Sequence, residues 1–488
     1  MNTLNKKSNI LFLVLDGFRG DLCYGKNKTS KTPNIDKLIK NGVYFQNAIS
    51  SGASSTPSVS SILTSLYPFE SLVQDGDLFK MDPKITTHIS ELQKNGYTTH
   101  AIIQDSLSHI GFRSIFGKNL HTYDHANEKV WSGLGTKIIE KINNFKKSGP
   151  WFCYIQLYDL NLLIYPKNIQ EEKGPVQIKD KTFGKNFYER IISAQDYWIG
   201  KIIDSIDKEN TLIIFTADHG LESGAYDEEL ENFDHLQREK RNISPGIFHK
   251  IAMKNKSVIP FRRQLADKYR KFIRNKATKL QTPEFNKLQN QKFPPYKKRL
   301  MQLSAMFESH IFDDRIHVPL IFNHPNIPKE KKIESLVRSI DIFPSIFDLC
   351  DLRTSLVNRR GQSLKPLFSD LKLEELPNFI QSPGNGTRSA GHRDSNVVGI
   401  RTSEFKYFRD KDDLKKNINL YNLKDDPFEE YNIAYENSNL VENFERVLET
   451  ISPQKNFSIK EIEDDEDEIG IEEAKEIEKK LRDAGYIT

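Results

Sequence analysis

Apolar positions along this chain come in two textures. Residues 10–15 are an unbroken apolar run, and strand-like runs follow at 43–49, 97–103, 152–157, 211–217 and 318–322. Short continuous runs of this kind predict strands buried in a parallel sheet. Elsewhere apolar residues recur at three- and four-residue spacing, as in Ile35, Leu38 and Ile39, in 85–94, and in Val59, Ile62, Leu63 and Leu66. This spacing predicts helices, one opened near Thr32-Pro33 and ended by Gly42, another stopped by Asn95-Gly96. The alternation of the two textures predicts an α/β fold.

One stretch organises the candidate chemistry. Residues 51–68 open with small hydroxylated residues and then turn apolar at helical spacing. Serine and threonine favour helix caps and proline is tolerated in a first turn, so a loop is expected to feed a helix whose start lies at Ser55. Free N–H groups and the positive dipole end make such a start an anion site, where a serine hydroxyl can attack a bound ester. An ordinary capped helix has the same composition. Two further segments bear on the choice. The run 9–15 ends in Asp16, and the run 211–217 ends in Asp218-His219-Gly220. Open α/β sheets bind ligands outside the carboxyl ends of their strands. Asp16, Asp218, His219 and the Ser55 hydroxyl are therefore expected to surround one hard divalent cation, Ca²⁺, Mg²⁺ or Mn²⁺.

The motifs Asp16-Gly17-Phe18-Arg19, Thr32-Pro33-Asn34-Ile35-Asp36 and Ser55-Thr56-Pro57-Ser58, closing at Leu63-Thr64-Ser65-Leu66-Tyr67-Pro68, stand in a specific order and spacing. In that order they resemble the sulfatase branch of the alkaline phosphatase superfamily. The resemblance implies a large mixed, mostly parallel sheet flanked by helices, with a small C-terminal antiparallel sheet and a helix. It also implies Ser55 as nucleophile, Arg19 as a further catalytic residue, and Asp16, Ser55, Asp218 and His219 as metal ligands. Three departures accompany it. Where the family usually has Gly-Lys-x-His, this chain has Ile103-Gln104-Asp105-Ser106. Where Asp-x-His commonly supplies a proton donor, it has Asp159-Leu160-Asn161, and an amide cannot donate as an imidazolium can. Asp159 is expected either to orient neighbours or to be a solvated loop carboxylate. Where formylglycine formation needs an arginine, it has Val59, so an unmodified serine is expected. His310, standing near the family's late basic residue, is a candidate leaving-group acid; a structural role is the alternative.

The 488 residues accommodate a sulfatase-like unit over 1–380, a small α+β unit over 381–455 and a tail over 456–488. A basic helical insertion is expected at about 222–308, because 236–300 holds nineteen Lys and Arg against three acids. Within it Phe261, Leu265, Tyr269, Phe272, Ile273 and Leu280 recur at helical spacing. It reads either as a helical cover over the sheet edge or as a cationic lid for a polyanionic or membrane-surface ester. The acidic tail is expected to be solvated, or to pair with the insertion in cis or across a homodimer. No base-reading motif accompanies the charge, so nucleic acid is not the expected partner. Cys23, Cys153 and Cys350 have neither metal-ligand nor disulfide spacing, and no signal peptide or membrane span is read at the start, which predicts a cytoplasmic protein.

The expected activity is hydrolysis of sulfate or phosphate esters, on a glycan or lipid head group, by attack of Ser55. A phosphorylated serine can be cleared by attack of water at phosphorus, whereas a sulfated serine lacks the hydrated aldehyde's elimination route. The alternatives are an impaired, anion-binding relative and a phospho-group transferase in surface-glycan or lipid metabolism.

Overall fold

The computed structural model describes residues 8–75, 78–125, 127–160, 175–241, 293–306, 310–382, 396–453 and 456–461. Its main sheet contains β1 (Asn9–Leu15), β2 (Gly42–Ile49), β5 (Thr98–Gln104), β6 (Leu120–Tyr123), β7 (Trp151–Leu157), β8 (Thr211–Thr216), β9 (His317–Asn323) and β10 (Lys331–Arg338). The spatial order is β10-β2-β9-β8-β1-β7-β5-β6. β1 lies at the centre, parallel to β7 with Leu15 opposite Leu157 and parallel to β8 with Val14 opposite Thr216. Only β9 runs against its neighbours, antiparallel to both β2 and β8. All seven residues of β1, all seven of β7 and all six of β8 are buried, as unbroken apolar runs require when helices cover both faces.

The predicted helices form, with shifted ends. Pro33–Lys40 begins after Thr32 as expected, but Gly42 is the first residue of β2 and Asn41 ends the helix. A Cβ at Gly42 would meet the Phe322 carbonyl oxygen at 2.2 Å, so close approach of β9 explains this glycine. The helix expected over 85–94 starts at His88, where Thr87 accepts from the Ser90 N–H. Val337 and Arg338 finish β10, and the helix that follows is Ile342–Leu349.

The small sheet is antiparallel, in the order β11 (Asn378–Ser382), β12 (Val397–Arg401), β13 (Phe405–Asp410) and β14 (Asn419–Asn422). Helix Ser438–Ile451 covers it, with Phe444 and Leu448 in one cluster with Val398, Tyr407 and Leu420. Phe457, at the start of the segment read as a tail, is fully buried in that cluster. Three residues later the chain forms β15 (Lys460–Glu461), parallel to β3 (Leu72–Asp75), which pairs with β4 (Leu78–Met81). The beginning of the tail is thus docked on the body, not solvated, and residues 462–488 lie outside the described residues.

Helices Glu228–Arg241 and Pro295–Met306 form the two ends of the predicted insertion. Tyr226, Leu230, Phe233, Leu300 and Met301 join them in a separate apolar cluster. The periodic stretch from Phe261 to Leu280 lies outside the described residues. Among the described residues, no helix is long and apolar enough to cross a membrane.

Candidate functional site

The loop after β2 is built to hold Ser55 still. Ser54 is extended at φ −153° and ψ 166°, and its carbonyl accepts the Ser58 N–H at 3.2 Å, so the helix Ser55–Thr64 begins with Ser55. The Ser58 hydroxyl donates back to the Gly52 carbonyl at 3.0 Å, and the Ser50 hydroxyl donates to Ser58 Oγ at 3.0 Å. From the small sheet, Asn378 Nδ2 donates to the Ser50 carbonyl at 3.0 Å, and the Ser51 hydroxyl donates to Asn378 Oδ1 at 3.1 Å. A Cβ at Gly52 would lie 2.8 Å from both Pro57 Cβ and Ser58 N, so the turn packs directly on the helix start. The helix ends at Ser65, which is left-handed at φ 54°.

Three remote segments meet at the carboxyl edge of the sheet. Asp16 follows β1, Asp218 and His219 follow β8, and all three are buried. One ligand atom from each of Asp16, Asp218 and His219 lies within 4.8 Å of the others. The Ser55 hydroxyl donates to Asp16 Oδ2 at 3.1 Å and stands 3.3 Å from His219 Nε2. His219 Nε2 is 3.8 Å from Asp16 Oδ1 and 3.7 Å from Asp218 Oδ2. Its other nitrogen, Nδ1, is 2.9 Å from the Gly220 carbonyl, which can only accept. A proton on Nδ1 therefore leaves the Nε2 lone pair facing the cluster, the arrangement a metal-binding imidazole needs. Two carboxylates, one imidazole and a hydroxyl make a donor set that suits a hard divalent ion. Burial supports the same conclusion, since two adjacent buried carboxylates call for a positive partner.

Two glutamines complete the cluster, neither of them a candidate on sequence reading. Gln156, the one amide in β7, donates from Nε2 to Asp16 Oδ2 at 2.8 Å and to Asp218 Oδ2 at 3.0 Å. Gln104, at the end of β5, reaches Asp16 Oδ2 at 3.4 Å. The available signal was an amide after buried apolar residues, at the last position of β5 and the next to last of β7.

The remaining candidates lie in other settings. Arg19 is buried, with its guanidinium paired to Asp21 at 2.8 Å and Asp314 at 2.6 Å, and both acids hold it protonated despite burial. These contacts tie the loop after β1 to the segment leading into β9. Val59 is fully buried in the main core, so that position brings an apolar group and no charge. Asp159 is also buried: Oδ1 accepts the Val130 N–H at 3.0 Å and Oδ2 accepts from Gln195 Nε2 at 3.2 Å. Its carboxyl is pushed up by burial, so the solvated-loop alternative is overturned and an orienting role remains. Asn161 lies outside the described residues. Beside Asp159, Lys129 is buried with its pKa lowered by desolvation, a basic group from the loop after β6 that the motif comparison did not find. Asp105, which follows β5, meets Asp124 and His125 of that loop in a second acid–histidine group, with His125 Nδ1 2.7 Å from Asp105.

His310 is buried, 4.0 Å from Glu222 Oε2, and neither ring nitrogen makes a hydrogen bond among the described residues. Burial, with the charges of Arg315, Arg299 and Lys406, pushes its pKa down to about 3. At neutral pH it is therefore an uncharged imidazole. That setting favours the structural alternative over a leaving-group acid.

Comparison with known proteins adds an independent line. The family model described as Sulfatase matches residues 8–292, and that described as N-sulphoglucosamine sulphohydrolase, C-terminal, matches residues 305–455. Arylsulfatase K of Gallus gallus is 21% identical over 488 residues, covering 92% of this chain and 83% of the relative. The crystal structure of phosphonate monoester hydrolase of Agrobacterium radiobacter superposes with a TM-score of 0.58 at 15% identity, covering 92% of this chain and 96% of that one. A structure in complex with D-glucosamine-2-N,6-O-disulfate does so with a TM-score of 0.57 at 17% identity, covering 92% and 98%. At these identities the structural matches establish the fold, with its mixed sheet and small antiparallel sheet.

Proposed function

The chain belongs to the sulfatase family, and from that premise we propose that it is a divalent-cation-dependent hydrolase of sulfate or phosphate esters with the Ser55 hydroxyl as nucleophile. The observation that carries this reading is the convergence of Ser55 Oγ on Asp16 and His219, at 3.1 and 3.3 Å, at the first residue of a ten-residue helix. Asp16, Asp218, His219 and Ser55 would hold the cation. When bound, it supplies positive charge that lowers the hydroxyl pKa and offsets the negative charge of the ester.

The protein's own groups account for the rest. Asp16 Oδ2 accepts the Ser55 proton and aims the oxygen lone pairs at the ester. The helix start and its N–H groups favour the non-bridging oxygens of a bound anion. Attack by Oγ at sulfur or phosphorus forms a serine ester and breaks the bond to the leaving alcohol, which takes up a proton. Water then hydrolyses the serine ester and regenerates the hydroxyl. Buried Val59 in place of an arginine favours an unmodified serine, and hence phosphoryl substrates within the pair. By analogy with the disulfated glucosamine bound in a structural relative, the alcohol portion is proposed to be a glycan.

The test is turnover of aryl sulfates and aryl phosphate mono- and diesters with Mg²⁺, Mn²⁺ or Ca²⁺, in the wild type and Ser55→Ala. Loss of roughly three orders of magnitude or more in kcat is expected for Ser55→Ala. Undiminished turnover refutes the nucleophile, and no turnover by the wild type on any ester points instead to an anion-binding protein. Mass spectrometry of the peptide carrying residue 55 is expected to show plain serine.

A further inference from the structure

We propose that the Gln156 carboxamide sets the affinity of the Asp16–Asp218–His219 centre for its cation, by bridging the two carboxylates in the ion-free protein. The proposal rests on the cation-dependent reading above. Asp16 and Asp218 are both fully buried, and like charges side by side in such a place need donors to hold them. Gln156 provides one N–H to each, at 2.8 and 3.0 Å. Its orientation is fixed from behind, because the Tyr154 hydroxyl donates to Oε1 at 2.7 Å and so turns the NH₂ end toward the acids.

The rest of the cluster shows why this amide matters. Position 17 offers no side-chain oxygen: the Gly17 N–H donates to Asp218 Oδ1 at 3.3 Å, and a Cβ there would meet Leu221 at 2.6 Å. Gln104 holds its Nε2 3.4 Å from the same Asp16 oxygen, while its buried Oε1 has no hydrogen-bond donor among the described residues. The carboxylate cluster is therefore edged by two amides, one presenting donors to the acids and one keeping an unpartnered acceptor. An amide NH₂ cannot ligate a cation, whereas an amide oxygen can. Gln156 keeps the acids assembled without adding charge, and its two N–H bonds compete with an ion for the same two carboxylates. It is a positioning residue, acting through Asp16 and Asp218.

The experiment uses the full chain stripped with EDTA, titrated calorimetrically with MgCl₂, MnCl₂ and CaCl₂, with melting temperatures recorded in EDTA and in each cation. Gln156→Glu adds a third carboxylate and should bind cation tighter by roughly tenfold or more, because ligand charge count tunes such sites. It should also melt lower than wild type in EDTA. Gln156→Leu removes both N–H groups, so its melting temperature in EDTA should fall and its rise on adding cation should exceed that of the wild type. Should Gln156→Leu not fold, Gln156→Glu decides alone. Unchanged cation affinity in Gln156→Glu, or an unchanged EDTA melting temperature in a folded Gln156→Leu, overturns the proposal. A wild type that takes up none of the three cations removes the cation site itself and this role with it, an outcome distinct from wild-type binding that the variants merely reproduce.

Discussion

Replacing His310 with leucine separates a structural imidazole from a catalytic one. The folded pKa is about 3 and the unfolded value 6.5, so between these values the unfolded chain binds a proton that the folded protein refuses. Stability is therefore unaffected by this group above pH 6.5 and falls as pH drops from 6.5 toward 3. At pH 5 the loss is one and a half pKa intervals, about 2 kcal/mol. An unfolding entropy of about 2.1 cal/mol/K per residue makes that about 2 °C for a cooperative unit of this length. Because neither ring nitrogen is hydrogen-bonded among the described residues, His310→Leu orphans no partner, and Glu222 keeps Arg315 at 2.7 Å. The variant should match the wild type in melting temperature at pH 8 and exceed it by about 2 °C at pH 5. His88, His100 and His109, also pushed down to about 3, 4 and 4 by burial, leave part of the acid sensitivity in place. Melting curves at constant ionic strength from pH 4.5 to 8, paired with kcat for aryl esters, form the assay. Parallel melting curves for the two proteins would refute the burial argument. A kcat loss confined to esters with poor leaving groups would return His310 to the role of proton donor.

Three further outcomes follow from the same structure. Lys406 is fully buried between Asp313 and Glu429, the latter at 2.6 Å, so Lys406→Met strands buried charge and should cost about 3–5 kcal/mol in denaturant unfolding. Adding Glu429→Gln should recover part of that loss, and a single-variant cost below about 1 kcal/mol contradicts the pairing. Gly52→Ala pushes a methyl group into Pro57 and Ser58, which should displace Ser55 and lower kcat by roughly ten- to a hundredfold with a much smaller change in KM; wild-type kcat would show that the loop can yield. Removing divalent cations with EDTA should abolish binding of inorganic sulfate and phosphate as well as turnover, since the centre then presents two carboxylates and no cation to an anion; calorimetry showing anion binding undiminished in EDTA would place the anion elsewhere.

The parts of this protein legible in its sequence are those where a local pattern is sufficient. Unbroken apolar runs gave β1, β7 and β8 because a strand covered on both faces admits little else. Asp16, Asp218 and His219 could be placed at one edge because parallel strands present their carboxyl ends together, and Ser55 because a run of small hydroxyl residues ahead of an apolar periodicity opens a helix. Gly42 was misjudged because its reason lies across the sheet, in the Phe322 carbonyl, and nothing nearby in sequence announces that approach. The setting of His310 was not legible because a pKa is set by whatever surrounds the ring, here groups from Glu222 to Lys406 that share no local motif.

Gln156 shows the same limit from the functional side. In sequence it interrupts an apolar run. Only when β1, β7 and β8 align, with Leu15 beside Leu157 and Val14 beside Thr216, do its two protons face two acids. The departures at 103–106 and at Val59 take away basic groups that the family usually has. The folded chain keeps the acids paired by a neutral amide, so on the proposed cation-dependent reading cation uptake and anion binding become one linked equilibrium.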